Sequence, residues 1–429
     1  MSQITQAKPA GIASRAGWSQ VWLASLLMLA TLPGRTQGLG LITEPLLADL
    51  HFDRVGYATM NLWATLLGAA LCLPAGWAID RIGLRWVTVL VVLSLGLTVW
   101  QVSAVSGGVV VFFLLLLATR ALGQSALSVC SIATVGRWFP RGSGFAMGVF
   151  SVLLSVGFAI AFGVIGYVVR EHGWRPAWQQ IALALLFVVA PVVTLALREP
   201  PRAAADPAVA GSTAATATAA GDPGREGLTL PQALRTGAFW LFAGAAAVFN
   251  LASSGIGLFN EAVLAERGFD QRSFHLFLAV STLMSLGGQF LCGWLTRRHR
   301  YQSLVFAALA VYAVSLALIP VLSHPWQLWA LAVLFGTAGG MIIVIFFSVW
   351  SDLFGQHQLG RIQGAAQMLT VFSSGLGPVL FAECARRTGS YAALLFTLAL
   401  AVMALALAAT RVRSPGASQA ALVGLPERT

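Results

Sequence analysis

The sequence predicts an all-α membrane protein with twelve transmembrane helices in two pseudo-symmetric six-helix bundles. Three observations predict it. First, 58% of the 429 residues are hydrophobic and only 10% are charged, where a soluble domain carries roughly 25%. The mean hydropathy is +0.80. So much apolar surface needs lipid as its solvent. Second, twelve apolar stretches approach the ~20 residues that cross a bilayer as helix. They lie near 19–43, 56–78, 85–105, 108–136, 142–168, 174–197, 236–260, 272–295, 302–322, 326–351, 361–384 and 389–411. Third, the two halves of the chain echo each other at a fixed offset.

The stretches read as helices and not as barrel strands. They far exceed the ~10 residues of a strand and lack strict in/out alternation. The first 17 residues are polar, and no small-residue cleavage site follows the first apolar run, so no signal peptide is expected. The longest polar interruption, REPPRAAADPAVAGSTAATATAAGDPGREGLTLPQALR, is rich in Ala, Thr, Pro and Gly and reads as a flexible linker. It divides the chain into an N-terminal bundle (1–198), a linker (199–235), a C-terminal bundle (236–411) and a tail (412–429).

The echo is specific. GWAIDRIG begins at Gly76 and GWLTRRHR begins 217 residues later at Gly293. Gly144 and Gly148 recur as Gly360 and Gly364, at an offset of 216. A duplicated six-helix unit accounts for both. Parallel repeats of this kind build carriers with a central site at the repeat interface.

The formal net charge of +11 does not point to nucleic acid. With the N-terminus cytoplasmic, seventeen Lys and Arg fall on the cytoplasmic side and seven outside, and Arg35 and Arg120 fall within the membrane, which together make the 26 of the sequence. This is the positive-inside bias. The even helix count puts both termini in the cytoplasm, and the expected location is a cell inner (plasma) membrane. Cys72, Cys130, Cys292 and Cys384 lie within predicted spans and have neither zinc-site nor disulfide spacing, so they read as small apolar residues.

The stretch GWAIDRIGLR resembles the signature loop of the major facilitator superfamily, G-x-x-x-D-R-x-G-R-[RK], through Gly76, Asp80, Arg81, Gly83 and Arg85. Leu84 stands where that family carries a basic residue. TRALGQS (119–125) is similar to the family's helix 4 motif, with its arginine at Arg120. WFPRGSGFAMG, GWRPAW, GAFWLF and GLGP resemble, more loosely, its monocarboxylate and oxalate/formate branch of organic-anion carriers. The resemblance implies two bundles rocking about a central cavity, with the helix 2–3 loop latching them together at the cytoplasmic end. Physics supports such a latch. Asp80 ends its helix and can face the positive N-terminal dipole of the helix beginning near Gly360, while Arg81, Arg85 and Arg137 are available to neutralise it. In the second copy Arg297 and Arg300 replace Asp80 and Gly83, so the latch is expected to be one-sided.

Arg35 and Arg120 are the strongest functional signals, because intramembrane arginines are costly and mark function. Arg35 lies about 6 Å outside the midpoint of its helix and Arg120 about 3 Å to the same side of its own, at 1.5 Å per residue. Arg120, Gln124, Ser128 and Ser131 form one helical stripe, as do Thr31, Arg35 and Gly38. No carboxylate lies at that depth: Glu44, Glu261 and Glu383 sit at outer helix ends. Two unpaired guanidiniums call for an anion, and a carboxylate accepts charge-assisted bidentate bonds from arginine. Asn250, Ser253 and Ser254 share a face of the seventh helix, and Gln363, Gln367, Thr370 and Ser374 a face of the eleventh.

The expected substrate-binding residues are therefore Arg35, Arg120, Gln124, Asn250, Ser254 and Gln367. The expected partners are a small-molecule substrate, with a proton as one option for coupling beside exchange and uniport, and the lipid bilayer. No cofactor or metal is expected, and a monomer is. An enzyme is not: the six histidines fall in loops or near helix ends, and neither an HExxH, a nucleophile elbow nor a P-loop occurs. Alternatives are a drug or neutral-solute carrier of the same fold, or a membrane sensor that binds without transporting.

Overall fold

The structure, a computed structural model, describes residues 15–52, 54–139, 143–199, 227–269 and 271–412. Every regular element among them is a helix. That follows from the solvent: in lipid a backbone must satisfy its own polar groups, which a helix does within one segment. Ten helices are long and apolar enough to cross a membrane among the described residues. They are α2 (Gly56–Ile82), α3 (Leu84–Ala104), α4 (Val109–Trp138), α5 (Ser143–His172), α6 (Trp174–Ala196), α7 (Gly237–Ala265), α9 (Tyr301–Val321), α10 (Pro325–Phe354), α11 (Leu359–Thr388) and α12 (Ala392–Ala409).

Two further helices stand outside that set. α1 (Arg15–Leu29) is followed by a tight turn, Leu32–Gly34, and a short helix, Thr36–Gly40. The uninterrupted helix expected through this region is therefore broken. Pro33 has no N–H to donate and disfavours helical backbone at Leu32, and Arg35 takes an extended conformation (φ −94°, ψ 152°). α8 is a continuous helix over Gln271–Leu295, and the side chains of 271–276 and 278 lie outside the described set, which leaves Ala279–Leu295 as its described apolar stretch.

Large apolar side chains point outward all around the molecule, among them Trp22 (63% exposed), Ile160 (62%) and Leu400 (73%). Facing lipid, they cost nothing. Inside, one apolar core runs through α1–α6, from Leu23 to Leu197. A second joins α7–α12 to the inner faces of α1, α4 and α5.

The halves meet most tightly at the end where α1 begins, and glycine makes it possible. A Cβ on Gly76 would run into the Gly360 carbonyl oxygen, and one on Gly364 into that of Cys72. In the other pairing, a Cβ on Gly148 would lie 3.0 Å from Gly293 Cα, and one on Gly144 would meet Thr296 Oγ1. Gly76 and Gly360 in the first contact correspond to Gly293 and Gly144 in the second, so the sequence echo is also an echo of contacts: α2 on α11, and α8 on α5.

Of the linker, Gly227–Arg235 is structured. The Leu228 N–H donates to the Phe354 carbonyl (2.8 Å), and Leu230–Leu234 forms a short helix whose Ala233 is buried. Residues 200–226, the tail from 413, and the Glu44 and Glu261 side chains lie outside the described set.

Candidate functional site: a cavity between the halves

The break after α1 aims Arg35 inward. Its extended backbone turns the side chain back along α1, where Nε donates to Thr31 Oγ1 (2.6 Å) and Nη2 reaches Met28 Sδ (2.9 Å). Nη2 also donates to Ser128 Oγ of α4 (3.2 Å), and the guanidinium lies 5.4 Å from the centre of the Phe158 ring of α5. All of these partners are neutral, and no carboxylate among the described side chains lies within ion-pair distance of Arg35. Glu383 is committed to Arg386 and Arg387.

The turn holding Arg35 is seated on α4, which widens into a π-helical segment at Arg120–Leu127. A Cβ on Gly34 would lie 2.5 Å from the Thr119 carbonyl oxygen and 2.9 Å from Gly123 Cα. Only glycine lets the two backbones touch.

Arg120 has a different setting. It is 2% exposed. Its Nη1 donates to Thr36 Oγ1 (2.9 Å), Gln124 Oε1 (2.9 Å) and, more distantly, the Gly34 carbonyl (3.4 Å), and its Nη2 donates to Asn61 Oδ1 of α2 (2.8 Å). It ties α4 to α2 and to the break in α1. The two arginines thus do not share partners: Arg35 is held by Thr31, Met28, Ser128 and Phe158, and Arg120 by Thr36, Gln124, Asn61 and Gly34.

Arg35 opens into a cavity of about 240 Å³ between the halves. The first half supplies Met28, Arg35, Ser151, Ser155 and Phe158, and the second supplies Phe249, Asn250, Gln289, Phe346, Phe347, Gln367 and Thr370. Of the expected substrate residues, Arg35, Asn250 and Gln367 line it. Arg120, Gln124 and Ser254 do not. Gln124 accepts from Arg120, and the Ser254 hydroxyl donates to the Leu251 carbonyl (3.1 Å) where α7 packs on Gly377.

The polar groups around the cavity are unevenly satisfied. Asn250 Nδ2 donates to the Ala246 carbonyl (2.8 Å). Gln289 Nε2 donates to Ser155 Oγ across the halves (3.3 Å). Ser151 Oγ and Gln367 Oε1 are buried without a partner. The sequence reading did not single out Ser151, Ser155 and Phe158. Their signal was present as steps of four and three on an otherwise apolar α5.

The closed end carries the motif residues. Asp80 Oδ1 accepts the Gly360 N–H (3.0 Å) and Oδ2 the Arg361 N–H (2.9 Å), while Arg137 pairs with Oδ1 at 3.0 Å. Arg361 Nε approaches Oδ2 at 4.0 Å. Arg81 stacks over Trp77 and Arg85 over Trp86, and Arg85 donates to the Thr194 carbonyl, so neither pairs with Asp80. Gly83 turns the chain in the left-handed region (φ +106°), and Glu199 Oε1 accepts the next N–H, that of Leu84 (2.7 Å).

The pseudo-equivalent helix start, that of α5, is also bound by a carboxylate from the opposite half. Asp352 Oδ1 accepts the Ser143 N–H (3.3 Å), and Oδ2 accepts the Tyr301 hydroxyl (2.7 Å). Carboxylate contacts across the halves are therefore two-sided, where the loss of the Asp80 equivalent had suggested one side. The acid comes from the end of α10 instead of the loop after α8.

Fold and site together define a helical, multi-pass membrane protein with a cavity between its two halves. The family model described as Major Facilitator Superfamily matches residues 23–378 and 245–424. The chain belongs to that superfamily. Among curated relatives it is 28% identical over 267 residues to monocarboxylate transporter 13 of Bos taurus, covering 61% of this chain and 58% of that one. It is 26% identical over 190 residues to riboflavin transporter RibJ of Trypanosoma brucei brucei (strain 927/4 GUTat10.1), covering 42% and 34%. The match thus spans less than two thirds of either relative. Among solved structures, FucP in the outward conformation superposes with a TM-score of 0.67 at 16% identity, covering 92% of this chain and 99% of that one. The human organic anion transporter MFSD10 superposes with a TM-score of 0.64 at 19% identity, covering 93% and 100%. Both show the fold alone.

Proposed function

We propose that this protein is a secondary transporter that carries a small organic anion, a carboxylate, across the inner (plasma) membrane by alternating access. The observation that carries the reading is Arg35: a cation lining the central cavity, held, among the described side chains, by neutral groups alone. A guanidinium in a confined, mostly apolar space is costly unless compensated. A cargo carboxylate compensates it with charge-assisted bonds. The monocarboxylate transporter among the relatives fits this reading.

In the proposed arrangement twelve spans form two six-helix halves, 1–198 and 236–411, working as a monomer with both termini cytoplasmic. The end closed by Asp80 and Asp352 is then the cytoplasmic one, and the cavity loads from outside. The positive-inside distribution of Lys and Arg supports this orientation.

The experiment is uptake into proteoliposomes holding purified protein, with labelled mono- and dicarboxylates and neutral solutes offered in turn. Saturable carboxylate flux that Arg35→Gln abolishes is the expected result. Binding without flux would identify a sensor, and flux of neutral solutes alone would remove the anion assignment. A neutral aromatic cargo is the second reading, favoured by the four phenylalanines around the cavity and by the riboflavin carrier among the relatives.

A further inference from the structure

We propose, building on the anion reading, that the cargo is an aromatic monocarboxylate with a hydroxyl or similar hydrogen-bond donor away from its carboxylate.

The charge argument sets the number of carboxylates at one. Arg35 is the cation that lines the cavity. Arg120, the other intramembrane arginine, spends its head group on Thr36, Gln124, Asn61 and the Gly34 carbonyl, outside the lining. A second carboxylate would enter a mostly apolar space with no second cation among the described lining residues to meet it, which is strongly unfavourable.

The walls set the body of the cargo. Phe158 on the first half and Phe249, Phe346 and Phe347 on the second line the space, and Phe346 and Phe347 lie with ring centres 6.0 Å apart. Flat rings pack on such walls edge-to-face or offset, gaining more than their buried area alone gives. Phe158 already lies beside the Arg35 guanidinium. A carboxylate on Arg35 therefore places the attached ring against a ring. At about 240 Å³ the cavity is below the ~300–1,000 Å³ of drug-sized sites. It suits one substituted ring.

The polar remainder sets the substituent. Ser151 Oγ and Gln367 Oε1 are buried with no partner, on opposite halves. An amide oxygen can only accept, so it calls for a donor on the cargo, and a serine hydroxyl can either give or accept. Buried polar atoms of native proteins are normally paired, and such exceptions need a reason. A ligand hydroxyl between α5 and α11 supplies one. It would also join the two halves through the cargo, as a transport cycle with a closed, loaded state requires.

The test is calorimetric titration of the full-length protein in detergent at pH 7. The probes are benzoate, 3- and 4-hydroxybenzoate, cyclohexanecarboxylate, terephthalate, lactate and benzamide. Benzoate should bind at least tenfold tighter than terephthalate and lactate, and severalfold tighter than cyclohexanecarboxylate. One hydroxybenzoate should bind at least fivefold tighter than benzoate. In Ser151→Ala or Gln367→Leu that gain, measured as the hydroxybenzoate-to-benzoate ratio within each protein, should shrink to twofold or less. A monodisperse size-exclusion profile of each variant reads folding independently of binding. Lactate or terephthalate binding as tightly as benzoate, in an Arg35-dependent way, would overturn this inference and leave the anion reading intact. Benzamide binding as tightly as benzoate would overturn both. Failure of every aromatic probe to bind would overturn the inference.

Discussion

Asp352, near the end of α10, accepts the backbone N–H of Ser143, the first residue of α5, at 3.3 Å across the two halves of the protein. Tyr301 holds the carboxylate in place at 2.7 Å. A carboxylate at a helix N-terminus meets both unpaired N–H groups and the positive end of the dipole. Asp352→Asn keeps the shape and removes the charge. Charge-assisted bonds of this kind contribute ~1.5–3 kcal/mol, and 1.4 kcal/mol is about tenfold in an equilibrium. The closed end should therefore open about tenfold more often. A Ser351→Cys reporter, at a site 3% exposed, should be labelled by maleimide about tenfold faster when combined with Asp352→Asn. An unchanged rate would mean that this contact does not hold the halves together.

Asp80 should matter more. Its two oxygens serve two amides of α11, Arg137 at 3.0 Å and Arg361 at 4.0 Å. Asp80→Asn leaves Arg137 partly buried and short of its counter-charge, since its other carboxylate, that of Glu199, is 3.8 Å away. Proteoliposome flux should fall at least tenfold, and the Ser351→Cys reporter should react faster than in the Asp352→Asn protein. The reverse ranking of the two variants would contradict the assignment.

Arg120→Gln should act on stability and not on recognition. Removing the guanidinium leaves Asn61 Oδ1, Gln124 Oε1 and Thr36 Oγ1 short of a donor. A fully buried acceptor left unpaired costs ~1–3 kcal/mol, and Asn61 and Gln124 are half-buried while Thr36 is exposed, so each costs less than that. The apparent Tm in detergent should drop by several degrees, while the KM for the transported anion stays within about twofold. A large KM change with an unaltered Tm would place Arg120 at the cargo.

Gly34→Ala and Gly40→Ala should differ sharply. A Cβ on Gly34 would lie 2.5 Å from a backbone oxygen of α4, whereas nothing lies within 4 Å of one on Gly40. Neither side of the Gly34 contact is a flexible side chain, so the break in α1 and the aim of Arg35 must shift. Fluorescence-detected size exclusion should show little monodisperse Gly34→Ala protein and normal Gly40→Ala protein. Equal yields would show that the turn tolerates displacement.

Much of the fold was legible because lipid writes a strong signal: length and apolarity name most helices, and the repeated glycines at 76, 148, 293 and 364 mark where the halves touch. The α1 break was readable in principle from Pro33, yet the surrounding apolar run masked it. Depth along a helix was also readable, but direction was not. Arg35 and Arg120 lie at similar depth by residue count, and only the extended backbone at Arg35 and the widened turn at Arg120 decide that one faces the cavity and the other α2. Ser254 shares a helix with Asn250 but is turned to Gly377, a distinction that rests on helix-to-helix distance. No local motif marks Asp352, because the acid that binds the α5 start comes from another helix than its counterpart in the first half.

The most direct measurement of the central claim is a four-way binding comparison: benzoate and benzamide, each on wild-type protein and on Arg35→Gln. Such a cycle isolates the coupling between the guanidinium and the cargo's charge. The account predicts a preference for the carboxylate of at least tenfold on wild-type protein, falling to about one on the variant. An equal preference on both proteins would contradict it, because the negative charge of the cargo would then be recognised somewhere other than Arg35.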